Sequence, residues 1–137
     1  MKILKDDAPE LHAIAAEVPH GEDVKDLVLD MTAAMTAAGG IGLAGNQVGV
    51  LKRIIVLRCP TFKGCVINPI ITRHTDGHVY SPEGCLSYPG KTVAKKRRNK
   101  VVVEGYDMDW QPITIAAKGL TAFCLQHEID HLNGVTI

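Results

Sequence analysis

Near its end the chain reads Leu120-Thr121-Ala122-Phe123-Cys124-Leu125-Gln126-His127-Glu128-Ile129-Asp130-His131-Leu132. This segment has the features of a helix, with Thr121 or Gly119 suited to its start. Residues four apart on a helix lie one above the other, so His127 and His131 can bind one metal ion. The apolar side chains earlier in the segment indicate that the histidine-bearing face is at least partly buried. The segment therefore predicts a metal-binding helix packed inside the fold.

One more helix and four strands are predicted upstream of it. Residues 22–38 carry apolar side chains at intervals of three and four, and Gly39-Gly40 suits the end of a helix. The residues Met108-Asp109-Trp110-Gln111 are typical of a hairpin turn. A helix, several strands and a final helix predict an α+β fold, with mostly antiparallel sheets packed around the C-terminal metal-binding helix. The predicted strands are residues 53–57, 64–71, 100–106 and 112–115.

The composition narrows the class of protein. The chain has 137 residues, 46% of them hydrophobic, and its 15 Lys and Arg balance 15 Asp and Glu. This length predicts a single domain, residues 1–137, and the apolar content excludes a disordered chain. No apolar run is long enough for a transmembrane helix, and the first residues lack the features of a signal or transit peptide. Four cysteines without a C-x-x-C pair predict reduced thiols, so we expect a cytoplasmic protein. The balanced charge and the absence of a transmembrane run predict no specific nucleic acid partner and no membrane partner.

Glu128 directly follows the first histidine of the pair, in the pattern H-E-x-x-H. From there its carboxylate can reach water at the metal and act as a general base. The alternative is a pair of surface histidines without a metal. Catalytic zinc sites commonly have three protein ligands, and too little chain follows the helix to supply the third. Any third ligand therefore lies upstream, where the candidates are Cys59, Cys65, His74, His78, Glu83 and Cys85.

Two further residues have the surroundings of catalytic groups. Cys85 lies in Pro82-Glu83-Gly84-Cys85-Leu86-Ser87, where the glycine allows close backbone approach and the Leu86 N–H can donate to an oxyanion. Cys85 can equally be a small buried side chain, as most free cysteines are. Gln47 follows a glycine-rich loop, and its amide can donate to an oxyanion or serve as an ordinary polar residue there. Gly42 in the same loop can leave backbone groups free to pair with an extended peptide.

Taken together, three motifs resemble those of the peptide deformylase family, which are G-x-G-L-A-A-x-Q, E-G-C-L-S and Q-H-E-x-D-H. Here they are Gly40-Ile41-Gly42-Leu43-Ala44-Gly45-Asn46-Gln47, Glu83-Gly84-Cys85-Leu86-Ser87 and Gln126-His127-Glu128-Ile129-Asp130-His131. Order and spacing fit over almost the whole chain. The departure is Gly45, where alanine is usual, and we expect it to soften the loop without touching a ligand. Because the chain ends six residues after His131, it resembles a short form of the family without the C-terminal extension.

The resemblance implies a role for each motif. Glu128 would take a proton from water and return it to the departing amine. Gln47 and the Leu86 N–H would stabilise the oxyanion of the substrate. The metal ion would be Fe(II), which the family usually carries, with nickel, cobalt or zinc as alternatives in a purified sample. The implied metal ligands are Cys85, His127 and His131.

The implied substrate is N-formylmethionine at the N-terminus of a newly made polypeptide, and the products are formate and a free amino terminus. Its methionine side chain would enter an apolar pocket, while its backbone would pair with the loop at Gly42. The implied location is the cytoplasm of a bacterial or phage-infected cell. We expect proximity to the ribosome without the C-terminal docking element of some relatives. The implied substrate-binding residues are Ile41, Gly42, Leu120, Phe123 and Cys124.

Two other functions match part of this pattern. One is a small peptide-cleaving zincin, against which the missing downstream ligand argues. The other is a binding protein whose metal is purely structural, but every proposed catalytic group is present in the sequence.

A basic run, Lys95-Lys96-Arg97-Arg98, precedes the predicted strand at 100–106. We expect it to be a solvated loop that guards the entry to that strand. Contact with ribosomal RNA or an acidic partner is the alternative. We also expect Arg97 to pair with Asp130 and to support the metal helix from behind.

Overall fold

The computed structural model describes residues 1–137, which form two α-helices and seven strands. Two short 3-10 turns, Pro9–His12 and Gly45–Val48, complete the regular structure. Neither α-helix is both long and apolar enough to cross a membrane. The elements are α1 (Lys25–Ala37), β1 (Gly42–Ala44), β2 (Ile54–Cys59), β3 (Phe62–His74), β4 (Val79–Cys85), β5 (Tyr88–Arg97), β6 (Lys100–Tyr106), β7 (Pro112–Lys118) and α2 (Leu120–Leu132).

The strands form two antiparallel sheets. The larger sheet has the order β1-β2-β3-β6-β7, and β4 and β5 form a separate two-stranded ribbon. β3 pairs with β2 through its first half and with β6 through its second half, with register shifts between residues 67 and 70 and between 71 and 73. Such irregularities bend a strand, which lets one long strand serve both neighbours. The helix α2 packs against β1, β2, β6 and β7, so the sheet holds it centrally.

Two apolar clusters form the core. In one, Leu125, Ile129 and Leu132 of α2 pack on strands of the large sheet. In the other, Met31 and Met35 of α1 pack on the same sheet, and both side chains are almost completely buried. Full burial of a side chain of this size stabilises a fold by about 1.5–3 kcal/mol. Because α2 is fixed by its apolar face, its polar residues are held in defined positions.

The N-terminal segment joins two of the sequence motifs. The Leu4 N–H donates to the Gln47 carbonyl at 2.7 Å, and the Asp6 N–H donates to the Ser87 carbonyl at 3.1 Å. The N-terminal segment therefore holds both the glycine-rich loop and the turn after Cys85 by backbone hydrogen bonds. These bonds fix the spacing of two loops that are far apart in sequence.

The α+β prediction is confirmed, as are the final helix and the four predicted strands, which correspond to β2, β3, β6 and β7. Each of these strands is at least as long as predicted, and β3 extends from 62 to 74. The helix predicted at 22–38 begins later, at Lys25. At this start the Asp23 carboxylate accepts a hydrogen bond from the Lys25 N–H at 3.1 Å, which satisfies one of the N–H groups that have no partner within the helix.

The prediction that the basic run is a solvated loop is wrong. Lys95 to Arg97 belong to β5, where Lys95 pairs with Ser81 and Lys96 with Tyr80. Arg97 is only 5% exposed. The sequence hid this ribbon because Pro, Gly and charged residues interrupt any apolar alternation, and a two-stranded ribbon needs no apolar outer face. The three-residue strand β1 was also missed inside the glycine-rich loop.

Candidate active site

Cys85, His127 and His131 converge although 42 residues separate the first two in sequence. The His131 Nε2 atom lies 3.4 Å from Cys85 Sγ and 3.2 Å from His127 Nε2. The potential ligand atoms of all three lie within 4.8 Å of one another. Cys85 ends β4, and both histidines face it from one side of α2, as their four-residue spacing requires. Cys59, Cys65, His74, His78 and Glu83 are not part of this cluster.

Glu83 and Arg97 support His127 from behind. Glu83 Oε1 lies 2.9 Å from His127 Nδ1, so the other ring nitrogen is turned toward Cys85. Arg97 binds both carboxylate oxygens of Glu83, at 2.9 and 2.6 Å. Its remaining amino group donates to Asp130 at 2.6 Å, which confirms the predicted Arg97–Asp130 pair. Burial alone would raise the pKa of Glu83, but the hydrogen bonds from Arg97 and His127 outweigh it and lower that pKa to about 2.

The charges around the two imidazoles suit a cation. Burial, together with the charges of His127 and Arg97, lowers the pKa of His131 to about 3, so its ring is neutral and can coordinate a metal. Burial also opposes charge on His127, but Glu128, Cys85 and Glu83 together raise its pKa to about 10. The carboxylates and the thiol beside the two rings therefore favour a positive charge at this point of the site. One thiol and two imidazoles are ligands typical of Zn, Fe, Co and Ni, so these residues fit a divalent transition metal.

Glu128 lies inside the site beside the metal-ligand candidates. Its side chain is buried, and its Oε1 atom has no hydrogen-bond partner. Burial raises the pKa of Glu128 to about 7. Gly42 makes room for it, because a Cβ atom at position 42 would overlap the Glu128 carboxylate. The result is a poorly solvated carboxylate that can take up a proton near neutral pH.

Gln47 is held by the 3-10 turn that follows β1. Its Oε1 accepts from the Ala44 N–H at 3.0 Å, which fixes the amide orientation. Its Nε2 then donates to Ser87 Oγ at 3.1 Å and to Cys85 Sγ at 3.5 Å. The donor group of Gln47 is thus placed at the metal-ligand candidate, on a side chain that is 1% exposed.

A cavity of about 340 Å³ opens over this cluster. Cys85, Glu128 and Gln47 are among its polar lining residues, and apolar side chains line another part of its wall. The structure brings every residue of the predicted site except His131 to its wall, and His131 contacts Cys85 directly behind it. The predicted substrate-binding residues on the wall are Ile41, Gly42, Leu120, Phe123 and Cys124, and Leu86 is also there.

Sequence reasoning gave Glu83 only as a candidate ligand and did not single out Ser87. Glu83 instead orients His127, and Ser87 accepts from Gln47. A signal for Glu83 was present, since an acidic residue two positions before a candidate ligand cysteine in a strand is expected on the same side as the cysteine. For Ser87, which follows the strand in a turn, no sequence pattern gave its partner.

Comparison with known proteins places these residues in context. The sequence matches the polypeptide deformylase family over residues 1–137. It is 44% identical over 132 residues to peptide deformylase 2 of Streptomyces avermitilis, covering 92% of this chain and 71% of that protein. It is 47% identical over 120 residues to a peptide deformylase of Thermodesulfovibrio yellowstonii, covering 84% of this chain and 72% of that protein.

Solved structures show the same fold. A peptide deformylase from Ehrlichia chaffeensis in complex with actinonin superposes with a TM-score of 0.94 at 38% identity, covering 99% of this chain and 85% of that chain. A probable peptide deformylase from Synechococcus phage S-SSM7 superposes with a TM-score of 0.92 at 34% identity, covering 98% of this chain and 95% of that one. Both likenesses extend over both helices and both sheets.

Proposed function

The chain belongs to the polypeptide deformylase family, and we propose that its reaction takes place in the cavity above Cys85. The protein is a hydrolase that removes the formyl group from N-formylmethionine at the start of newly made polypeptides. The products are formate and a free amino terminus. The observation that carries the proposal is the meeting of Cys85, His127 and His131 beside the buried carboxylate of Glu128.

In this proposal Cys85, His127 and His131 hold one divalent metal ion, with Fe(II) as the ion used in the cell. When bound, the metal supplies a Lewis acid for the formyl carbonyl oxygen and for water. The choice of Fe(II) rests on the family resemblance, because the donor set itself also suits nickel, cobalt and zinc. Glu83 and Arg97 position His127 for this task through the contacts at 2.9 and 2.6 Å.

Glu128 is the general base and then the general acid. It removes a proton from the attacking water and delivers it to the amine nitrogen as the C–N bond of the formamide breaks. Two observations support this role: one carboxylate oxygen has no partner, and burial raises the pKa of the group to about 7. A carboxylate with that pKa can hold the proton between the two steps at neutral pH.

Gln47 and the Leu86 N–H stabilise the negative charge that develops on the formyl oxygen. The fixed orientation of the Gln47 amide supports its part, since its Nε2 already lies at Cys85. Leu86 directly follows Cys85 on the cavity wall, so its backbone is next to the same point. Donors that are held in place before the reaction need no rearrangement when the charge appears.

The substrate lies along the cavity wall. The methionine side chain occupies the apolar part at Ile41, Leu120, Phe123 and Cys124, and the peptide backbone runs beside Gly42. A volume of about 340 Å³ accommodates one side chain and the formyl group. The absence of a side chain at Gly42 serves the substrate as well as Glu128.

Formate release from a formyl-Met tripeptide tests this function, using protein purified anaerobically and analysed for metal in the same sample. We expect one formate for each new amino terminus and one metal ion for each chain. The unformylated tripeptide is the matched control and should not be cleaved. Internal cleavage of that control would instead identify a zincin, and bound metal without formate release would identify a structural metal.

The proposed partners are nascent chains that still carry the formyl group, which places the protein close to the ribosome. The relatives named above are bacterial, and one similar structure comes from a bacteriophage. These sources support a location in the cytoplasm of a bacterial cell, where formylated chains are made. Labelling of the N-termini of nascent chains in cells with and without the protein tests this placement.

A further inference from the structure

Positive charge is concentrated in the middle of the chain although the net charge is zero. Residues 52–100 contain 11 Lys and Arg, but Asp76 and Glu83 are the only acidic residues there. Arg97 and Lys52 have carboxylate partners, and no other basic residue of this stretch forms a salt bridge. The charges of the remaining cations are therefore not neutralised by a carboxylate, although Arg53, Lys95 and Arg98 donate to carbonyl oxygens of the fold.

Two of these cations, Arg73 and Lys100, line one groove of about 480 Å³ on the large sheet, together with Lys118 of β7. Arg73 of β3 is opposite Val102 of β6, and Lys100 of β6 is opposite Lys118 of β7. Opposite residues of paired strands point to the same face, so the three cations surround the exposed side of Val102. We call this site the basic groove, defined by Arg73, His74, Lys100 and Lys118.

The arrangement of like charges is unfavourable for the fold itself. Lys100 and Lys118 are directly opposite each other, which destabilises a strand pair. A second pair, Arg58 and Lys63, is also directly opposite, and both residues lie within three positions of Thr61 on the groove wall. A lysine on an edge strand can prevent unwanted sheet pairing, which accounts for Lys118 on β7. It does not account for Lys100, because β6 lies between β3 and β7, whereas Arg73 lies in the half of β3 that pairs with β6 alone.

An exposed aromatic residue lies on the ribbon beside the groove. Tyr80 is 69% exposed and is opposite Lys96 in β5. The ribbon is joined to the groove by Arg98, which donates to the carbonyl of Thr75 on the groove wall and to that of Gly77. Cations that follow a groove, with an exposed ring to stack on bases, are the features that bind unpaired nucleic acid.

We propose that the basic groove binds the sugar–phosphate backbone of single-stranded nucleic acid, independently of its base sequence, while Tyr80 stacks on a base. Arg73, Lys100 and Lys118 contact phosphates, and each contact releases counterions on binding. This site lies outside the catalytic cavity and is independent of the proposed deformylation.

The test is binding of a fluorescein-labelled 20-nucleotide oligouridine, measured by anisotropy across a series of salt concentrations. For wild type we expect log K to fall linearly with log salt. For the triple variant Arg73→Gln, Lys100→Gln and Lys118→Gln, we expect the slope to be smaller in magnitude by about 2, because each neutralised phosphate of a single strand contributes about 0.7 to it. A thermal melt shows that each variant is folded, so the result does not depend on enzymatic activity.

The matched control removes three positive charges elsewhere, as Lys5→Gln, Lys25→Gln and Lys91→Gln, and should keep the wild-type slope. An equal decrease of the slope in both triple variants would overturn the proposal, since net charge alone would then explain binding, and so would absence of wild-type binding at low salt. Tyr80→Ala should weaken binding roughly tenfold, whereas Tyr80→Phe should not. If Tyr80→Ala binds normally and polyglutamate competes as well as RNA, the groove binds an acidic protein segment instead.

Discussion

The position of the Glu128 side chain, which we propose to be catalytic, depends on Gly42, a residue without a side chain. The carboxylate occupies the space that a Cβ atom at position 42 would need. Its Oε1 atom is buried without a hydrogen-bond partner, which costs free energy in the folded protein. General base catalysis gives a functional reason for this cost, because the oxygen must be available to a proton.

We therefore expect Glu128→Gln to lower kcat for formate release by about two to four orders of magnitude, the usual contribution of a general base. The amide has nearly the same shape, so metal content should stay at one ion for each chain. Asp130→Asn is the matched control on the same helix, where it contacts Arg97 but not the cavity, and should reduce kcat much less. Equal activity of Glu128→Gln and wild type would exclude the base role.

Cys85 differs from the other three cysteines in its surroundings. Only its sulfur lies near the two histidine rings, whereas Cys59, Cys65 and Cys124 are buried among apolar residues. Burial raises the pKa of Cys65 to about 11, so that thiol stays protonated at neutral pH and is a poor metal ligand.

For Cys85→Ser we expect bound metal, measured by mass spectrometry after dialysis, to fall well below one ion for each chain. A serine hydroxyl is a weak ligand compared with a thiolate, and two imidazoles alone bind a divalent metal poorly. Cys65→Ala, the control, should retain the full metal content despite some loss of stability. A full complement of metal in Cys85→Ser would remove Cys85 from the ligand set.

Among the elements, the glycine-rich loop shows why Gly45 stands where relatives usually have alanine. A Cβ atom there would lie 2.6 Å from the carbonyl oxygens of both Val50 and Lys52. The expectation that this glycine softens the loop is therefore wrong. The residue is buried, and the following loop packs tightly against it, with Val50 donating to the Gly45 carbonyl at 2.9 Å.

Gly45→Ala should lower the free energy of unfolding by about 1–3 kcal/mol, because the backbone at 50–52 must move to admit a methyl group. Urea denaturation at constant pH measures this change. Gly84→Ala is the control, since its added Cβ would meet nothing closer than a carbonyl oxygen at 3.6 Å. If Gly45→Ala were as stable as wild type, the close packing at this loop would carry no energetic weight.

Local sequence patterns predict some of these elements and not others. The helix α2 and its histidines follow from periodicity alone, and the four β-branched strands follow from composition. The ribbon β4–β5 could not be found this way, since its burial depends on Arg97 reaching Glu83 and Asp130 in three dimensions. The residues around Cys85 leave its role open, and only the family resemblance assigns one. Contacts between distant segments are not encoded in local pattern.

At the scale of the whole molecule, residues 1–137 are expected to fold as one domain, because both apolar clusters lie on the same five-stranded sheet. The ribbon β4–β5 is attached to that body by polar contacts rather than by a large apolar surface. Arg97 is central to them, since it joins Glu83 on the ribbon to Asp130 on α2. The stability of the metal-free protein should therefore depend on the charge of Glu83.

The direction of this dependence follows from the pKa of Glu83, which is lowered to about 2 in the folded protein from a usual value near 4.5. A lowered pKa stabilises the fold above the unfolded value, and that contribution is lost as pH falls from about 5 toward 2. A shift of this size corresponds to roughly 3 kcal/mol at pH 7, of which about 2 kcal/mol is lost by pH 3. We expect the metal-free wild type to be more stable than metal-free Glu83→Gln at pH 7, and the difference to shrink by about 2 kcal/mol at pH 3. Urea denaturation at both pH values measures it, and a difference that stays constant with pH would mean that the Glu83 charge does not hold the ribbon to the helix.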